Sequence, residues 1–304
     1  MIEIDLRFKQ LVQKMYPQGK LLRAWELKGG VSAQVTALEI ERSGGQTEKL
    51  VVRQHGVVDL RHNPQIAAAE YKLLEILQTV GVPAPAPYYL DQSGEIFSTP
   101  YVVIEFIEGK TEFVPANLDN FIVQLAAQLS EIHRVDRAKM DLAFLPDIEK
   151  LVTGRLQARP ARLDDSLAEG LIRDSLEAAW PPVQSNKSCL LHGDFWPGNI
   201  LWQDERLAAV IDWEDAATGD PLADLANSRL EILWAFGVEA LDNFTQYYKS
   251  ITALDYTNLP YWDLGAALRP AHKIGEWAGD ALTEKRMRER HKYFVTQAFE
   301  KLSV

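Results

Sequence analysis

Three side chains past the middle of the chain have the types and spacing for phosphoryl chemistry. The stretch His192-Gly193-Asp194-Phe195-Trp196-Pro197-Gly198-Asn199 sets an Asp and an Asn five positions apart, and Val210-Ile211-Asp212-Trp213-Glu214 brings a second Asp thirteen positions later. Asp212 and Asn199 offer oxygen ligands to a hard cation such as Mg²⁺. Asp194 is then left as a base that orients or accepts the proton of an attacking hydroxyl. Phosphoryl transfer from ATP asks little more of a protein than positioned cations and one well-placed carboxylate. Two other readings use the same residues. Asp and Asn also cap ordinary turns. His192, Asp194 and His133 could in principle form a hydrolytic metal site, although no HExxH or comparable ligand spacing accompanies them.

Such groups need a loop held between fixed elements. Short apolar strands are expected near 190–191 and 200–201, with a third at 207–211 and Asp204-Glu205 as the turn between the last two. Asp220 as N-cap and Pro221 as first helical residue start a helix that carries Asp224 one turn inside. Apolar periodicity gives helices at about 117–134, 163–179, 221–236, 239–250, 261–278 and 282–301. The first third has a different character. Strands are expected at 21–27, 34–41 and 49–54, the first turn holding Gly29-Gly30-Val31-Ser32. A helix at about 64–80 carries the stripe Ile66, Leu73, Leu74, Leu77 and Val80 and stops at Gly81. Glu70 projects from that stripe, and an inward carboxylate is costly unless paired. Arg53 on the adjoining strand is the obvious partner. A proline-rich crossing at 82–87 leads to a hairpin of 88–91 and 99–106, and after Glu108-Gly109-Lys110 the chain turns mainly helical.

The histidine-led loop and the Ile-Asp-aromatic-Glu segment together resemble the aminoglycoside phosphotransferase and choline kinase group. The resemblance covers most of the chain, strongest over 189–226 and weaker beyond 237. It implies an α+β, two-lobed protein-kinase-like fold. A small antiparallel-sheet lobe over 1–107 would bind nucleotide, and a larger, mainly helical lobe over 108–304 would hold the catalytic and substrate sites. It further implies Asp194 as catalytic base, Asn199 and Asp212 as Mg²⁺ ligands, and ATP bound between the lobes. His192 would organise the loop and Asp224 would brace it. Gly29, Gly30 and Ser32 stand where a kinase covers the phosphates, without the full G-x-G-x-x-G. Leu50-Val51-Val52-Arg53 stands where a kinase has Val-Ala-Ile-Lys, with Arg in place of Lys. Arg53 and Glu70 would form the strand–helix ion pair, and backbone groups of Glu105 and Ile107 would meet adenine.

The activity implied is ATP-dependent phosphorylation of a hydroxyl on a small molecule, such as an aminoglycoside, amino alcohol or sugar. The alternative is a pseudokinase-like nucleotide-binding regulator without turnover. A protein kinase fits less well, because Asp-Phe-Gly and a following Ala-Pro-Glu are missing.

Composition bounds these readings. With 304 residues, 47% hydrophobic and 25% charged, the chain has ample material for two soluble lobes. Thirty-two basic against forty-three acidic residues leave a net charge of −11, which disfavours nucleic-acid partners and leaves room for a cationic acceptor. No apolar stretch approaches a membrane span. The first residues show no basic then apolar leader, and the single Cys189 cannot form an intrachain disulfide, so a cytoplasmic location is expected.

Overall fold

In the computed structural model, which describes residues 6–27, 33–136, 139–183 and 186–302, the chain divides into two units. One is Met1–Glu108 with Ala208–Glu214, and the other is Gly109–Leu207 with Asp215–Val304. The first unit opens with a helix that the sequence reading passed over, α1 (Leu6–Met15). Five strands follow, β1 (Lys20–Glu26), β2 (Ala33–Glu41), β3 (Thr47–His55), β4 (Pro87–Asp91) and β5 (Tyr101–Glu105), forming an antiparallel sheet in the order β1-β2-β3-β5-β4. Between β3 and β4 lie α2 (Val57–His62) and α3 (Ile66–Val80).

Central β3 is buried on both faces, and the two-residue strand period divides its side chains. Leu50 and Val52 join Phe8, Leu11, Val12, Leu38, Ile40 and Val103 in one apolar cluster. Burying Phe8, Leu11 and Val12 contributes roughly 1.5–3 kcal/mol each, which offsets the weak intrinsic stability of so short a helix as α1. Val51, Arg53 and His55 take the other face. There α3 presents Ile66, Ala67, Glu70, Leu73, Leu74 and Leu77, all buried.

The second unit carries α4 (Leu118–His133), α5 (Ile148–Gln157), α6 (Glu169–Ala179), β6 (Cys189–Leu191) and β7 (Ile200–Gln203). Along β8 (Arg206–Val210) the chain passes back into the first unit. It returns with β9 (Ala217–Gly219), then α7 (Leu222–Phe236), α8 (Val238–Ile251), α9 (Leu259–Ala267), α10 (Ile274–Ala278) and α11 (Ala281–Leu302). β9 pairs antiparallel with β6 through Cys189–Gly219, Leu190–Thr218 and Leu191–Ala217.

Several boundaries depart from the sequence expectations. The helix expected over 261–278 is two helices with a non-helical connection that includes Pro270, which has no N–H for a continuous helix. The helix expected from 163 begins with a short turn, and α6 proper starts only after Ala168, which has φ 57°. α7 starts one residue later than read, yet the Asp220 carboxylate still accepts the Leu222 N–H at 2.9 Å. α5, β9 and α2 were not expected at all.

Candidate active site

In the second unit, the segment between β6 and β7 is held by its own backbone. Asp224, in the first turn of α7, accepts the N–H of His192 on Oδ2 at 2.6 Å and that of Gly193 on Oδ1 at 2.8 Å. His133 Nε2 stands 3.3 Å from the same carboxylate. Burial alone would raise the Asp224 pKa, but His133, His192 and the Gly193 amide outweigh it and hold the group below its ordinary value. His192 is fully buried and its Nδ1 accepts the Asp194 N–H at 3.2 Å. Ser228 Oγ donates to the Phe195 carbonyl at 2.8 Å. Gly193 has φ 83°, and a Cβ there would lie 2.0 Å from the Asp215 carbonyl oxygen, so only glycine fits.

The loop presents Asp194 with its side chain 27% exposed. Asn199 Nδ2 donates to the Asp194 carbonyl at 3.0 Å and to its Oδ2 at 3.1 Å. The amide nitrogen of Asn199 is therefore spent within the loop, which leaves its amide oxygen as the group suited to a hard cation. Arg269, just after α9, donates from Nη2 to Asp194 Oδ1 at 2.8 Å and from Nη1 to the Gly193 carbonyl at 2.9 Å. Sequence reasoning missed Arg269, which lies 75 positions away with no spacing signal. Glu231 of α7 lies nearby, its pKa pushed up to about 8 by burial and by the charge of Asp194.

His133 is committed elsewhere, its Nδ1 lying 2.5 Å from the Tyr248 hydroxyl. Among the described residues, no group of three or more His, Cys, Asp and Glu could hold a metal, so the hydrolytic-metal reading finds no site. Cys189 is buried, and burial pushes its thiol well above the ordinary value, as expected of an inert side chain.

In the first unit, a second set of charges gathers on the α3 side of β3. Arg53 Nη2 lies 2.5 Å from both Asp212 Oδ1 and Glu214 Oε2. Its Nε is 3.4 Å from Glu70 Oε1, an ion pair without hydrogen-bond alignment. His55 Nε2 stands 2.9 Å from Glu70 Oε2, again too oblique for a hydrogen bond, and its Nδ1 is 3.7 Å from Glu214 Oε2. Burial lowers the His55 pKa, but Glu214 and Glu70 outweigh it and place it at about 9. The same balance raises Arg53, through Glu70, Asp212 and Glu214, and lowers Glu70, through Arg53 and His55. Asp212 moves the other way: burial raises it, Glu214 and Glu70 add to the rise, and Arg53 only partly opposes.

Two cations thus face three carboxylates. The excess is negative, and the Asp212 side chain, 30% exposed, is the most accessible of the three. Its donor chemistry and charge fit a divalent cation. Asp212 also has φ 68°, a left-handed conformation that Asp adopts more readily than most residues. His55 was missed in the sequence, although its place two residues after Arg53 puts it on the same strand face.

The remaining residues read from the sequence are placed as follows. Glu105 donates its N–H to the Ala86 carbonyl at 2.8 Å, and its carboxylate accepts the Ala86 N–H at 3.1 Å. The Glu105 N–H is therefore already engaged within the sheet unit. Ile107 is half-buried beyond β5. Gly29, Gly30 and Ser32 lie outside the described residues.

A sequence profile of the phosphotransferase enzyme family matches residues 25–268, and the chain belongs to that family. Its fold is that of aminoglycoside phosphotransferases. The GDP complex of wild-type aminoglycoside 2'-phosphotransferase-IIIa superposes with a TM-score of 0.65 at 17% identity, covering 99% of this chain and 98% of that one. A thermostable mutant of aminoglycoside phosphotransferase APH(4)-Ia, bound to AMP-PNP and hygromycin B, gives 0.63 at 17% identity, covering 95% and 97%. In sequence, the chain is 27% identical over 235 residues to acyl-CoA dehydrogenase family member 11 of Rattus norvegicus, covering 66% of this chain. The match spans only 29% of that longer protein. A homoserine kinase of Beijerinckia indica is 26% identical over 223 residues, 67% of this chain and 68% of that one. No helix among the described residues is long and apolar enough to cross a membrane.

Proposed function

We propose that the protein transfers the γ-phosphoryl group of ATP to a hydroxyl of a small molecule, with Asp194 as base and with Asn199 and Asp212 as the ligands of Mg²⁺. The observation that carries this reading is the state of Asp194. Its carboxylate is part-exposed and oriented by Asn199 and Arg269, on a loop whose amides are held by buried Asp224. In the reaction the hydroxyl oxygen attacks the γ-phosphorus. An O–P bond forms, the bond to the bridging β,γ-oxygen breaks, ADP leaves with that electron pair, and the hydroxyl proton passes to Asp194. Mg²⁺, when bound, supplies neutralisation of phosphate charge. Arg53 exchanges a carboxylate partner for a phosphate oxygen, while Glu70 keeps hold of its guanidinium.

The Glu105 carbonyl and the Ile107 N–H are assigned to adenine, and Gly29, Gly30 and Ser32 to covering the phosphates. Residues 1–107 thereby serve the nucleotide, and 108–304 serve catalysis and the acceptor. The nucleotides in the complexes of structural relatives and the homoserine kinase match support these assignments. A buried Cys189 thiol suits a reducing, cytoplasmic setting. The regulator reading is weakened because Asp194, Asn199 and Asp212 are all present.

The test is ADP release from Mg-ATP across aminoglycosides, amino alcohols, sugars and hydroxy acids. Asp194→Asn is expected to lower kcat by about 10³-fold, within the range for loss of a general base. Full turnover by that variant would remove Asp194 from its role. Nucleotide binding by calorimetry with no turnover on any acceptor would favour the regulator.

A further inference from the structure

The face of α7 that lies along the catalytic loop carries more polar groups than the loop uses. Positions 224, 227, 228 and 231 share one side of a helix. Asp224 takes the His192 and Gly193 amides, and Ser228 donates to the Phe195 carbonyl. Asn227 is 4% exposed, yet neither its amide oxygen nor its amide nitrogen has a hydrogen-bond partner among the described residues. A primary amide buried in that state costs stability unless something else completes its bonds. Glu231, one turn further along, is partly buried and feels the charges of Asp194 and Arg269.

A second opening starts from Arg269 itself. Its N–H bonds to the Ala266 carbonyl, so the chain keeps turning past the end of α9. Gly265, one turn back, therefore falls on the side of Arg269. Gly265 is buried, but a Cβ there would meet nothing within 4 Å. The other described glycines with such space around them are exposed. Close packing is the rule inside proteins, so Gly265 borders an unfilled space behind the guanidinium that holds the base. Trp262, three positions earlier on that side, is 3% exposed, and its Nε1–H has no acceptor among the described residues. The opposite side of α9 is the one tied to α7, through Asp263 and Arg229 at 3.1 Å. Arg269 is bonded to Asp194 and lies within range of Asp215 and Glu231, so its charge is matched. Glu231, its pKa pushed up to about 8, is largely protonated at neutral pH and can donate as well as accept. The open groups are thus an amide, an indole N–H and a mostly neutral carboxyl.

We infer that Asn227, Trp262 and the space beside Gly265 form the acceptor subsite, and that the acceptor is a neutral, hydroxyl-rich molecule, a sugar or a polyol. This names the acceptor class of the reaction proposed above and rests on that reading. One hydroxyl is directed to Asp194, and others complete the bonds that the fold leaves open at Asn227 and Trp262. A hydroxyl donates and accepts, as the amide does. An ammonium cannot accept from the indole N–H, and a carboxylate cannot donate to the amide oxygen. The reading departs from the cationic acceptor for which composition left room.

The experiment uses the full chain with Mg-ATP and reads ADP release. Glucose, ribose, xylitol and sorbitol are compared with glucosamine, ethanolamine, gluconate and ribonate. At least one sugar or polyol is expected to exceed every amine and acid by about tenfold or more in kcat/KM, the factor that one well-made hydrogen bond is worth. Asn227→Leu is expected to raise KM for that acceptor by about tenfold with little change in kcat. Its Tm should not fall, because an apolar side chain replaces an amide that the fold does not satisfy. Gly265→Met is expected to raise KM similarly by filling the space, while Gly265→Ala keeps or raises Tm, alanine being the better helix former. Both changes should leave Mg-ATP affinity in calorimetry unaltered. Equal or better use of an amine or acid overturns the inference and leaves the kinase reading intact. So does an unchanged KM in Asn227→Leu or Gly265→Met, and a lowered Tm with unchanged KM would assign Asn227 to the fold alone. Nucleotide binding without ADP release from any sugar or polyol counts against the acceptor class, and absence of nucleotide binding brings down the kinase reading as well.

Discussion

The two charged centres of this protein are built in opposite ways. Around Arg53 in the sheet unit, side chain meets side chain: Glu70, His55, Asp212 and Glu214 converge from β3, α3 and the segment after β8, up to 161 positions apart. Around Asp194 in the helical unit, the loop is fixed by main-chain amides on Asp224 and by a backbone-bonded Arg269. The first arrangement can exchange partners, because a guanidinium that leaves a carboxylate for a phosphate loses no backbone bond. The second is less free to do so, because the Asp224 carboxylate holds two main-chain amides and Arg269 also binds the Gly193 carbonyl. On the proposed reading, the first centre handles a charged nucleotide, which exchangeable pairs suit, and the second supplies a base, which a fixed position suits.

Mutation sharpens this contrast. Arg53→Met should cost the most stability, roughly 3–5 kcal/mol in urea unfolding, since it leaves three carboxylates facing one histidine in a buried site. A loss below about 1 kcal/mol would mean the cluster relaxes easily and would weaken the exchange argument. Asp224→Ala comes next, at about 3 kcal/mol, because two buried loop N–H groups lose their acceptor. It should also lower kcat, whereas an unaltered kcat would show that the loop holds its shape without Asp224.

His55 gives a pH signature confined to the sheet unit. Its pKa rises on folding from an ordinary 6.5 to about 9. Stability from its pairing is therefore fully present below pH 6.5 and lost as pH climbs through 9, on the order of 3 kcal/mol in all. Unfolding curves at pH 6, 8 and 9.5 should show the decline, and His55→Gln should flatten it. The smallest expected effect is on the other centre. Asp194→Asn should change stability by less than about 1 kcal/mol, its pair with Arg269 being part-exposed, even as turnover collapses. A large stability loss there would erase the distinction drawn between a structural cluster and a working base.

Much of this was legible in the chain itself. The inward position of Glu70 followed from helical period, and Arg53 on the adjoining strand was its expected partner. The spacing of Asp194, Asn199 and Asp212 marked the family before any fold was known. Less legible were α1 and α5, short amphipathic segments that are helical because they bury a face against something distant. The break at Pro270 was misread as continuous helix because apolar periodicity resumes on its far side.

Local order in the sequence determined the strands, the main helices and the types of groups available for chemistry, since each depends on residues within a few positions. Tertiary structure alone decided which of those groups meet. That Arg269 lies on Asp194, and that Asp212 and Glu214 meet Arg53, depend on contacts across many tens of residues. Long-range electrostatic pairing leaves no period in a sequence from which it could be read.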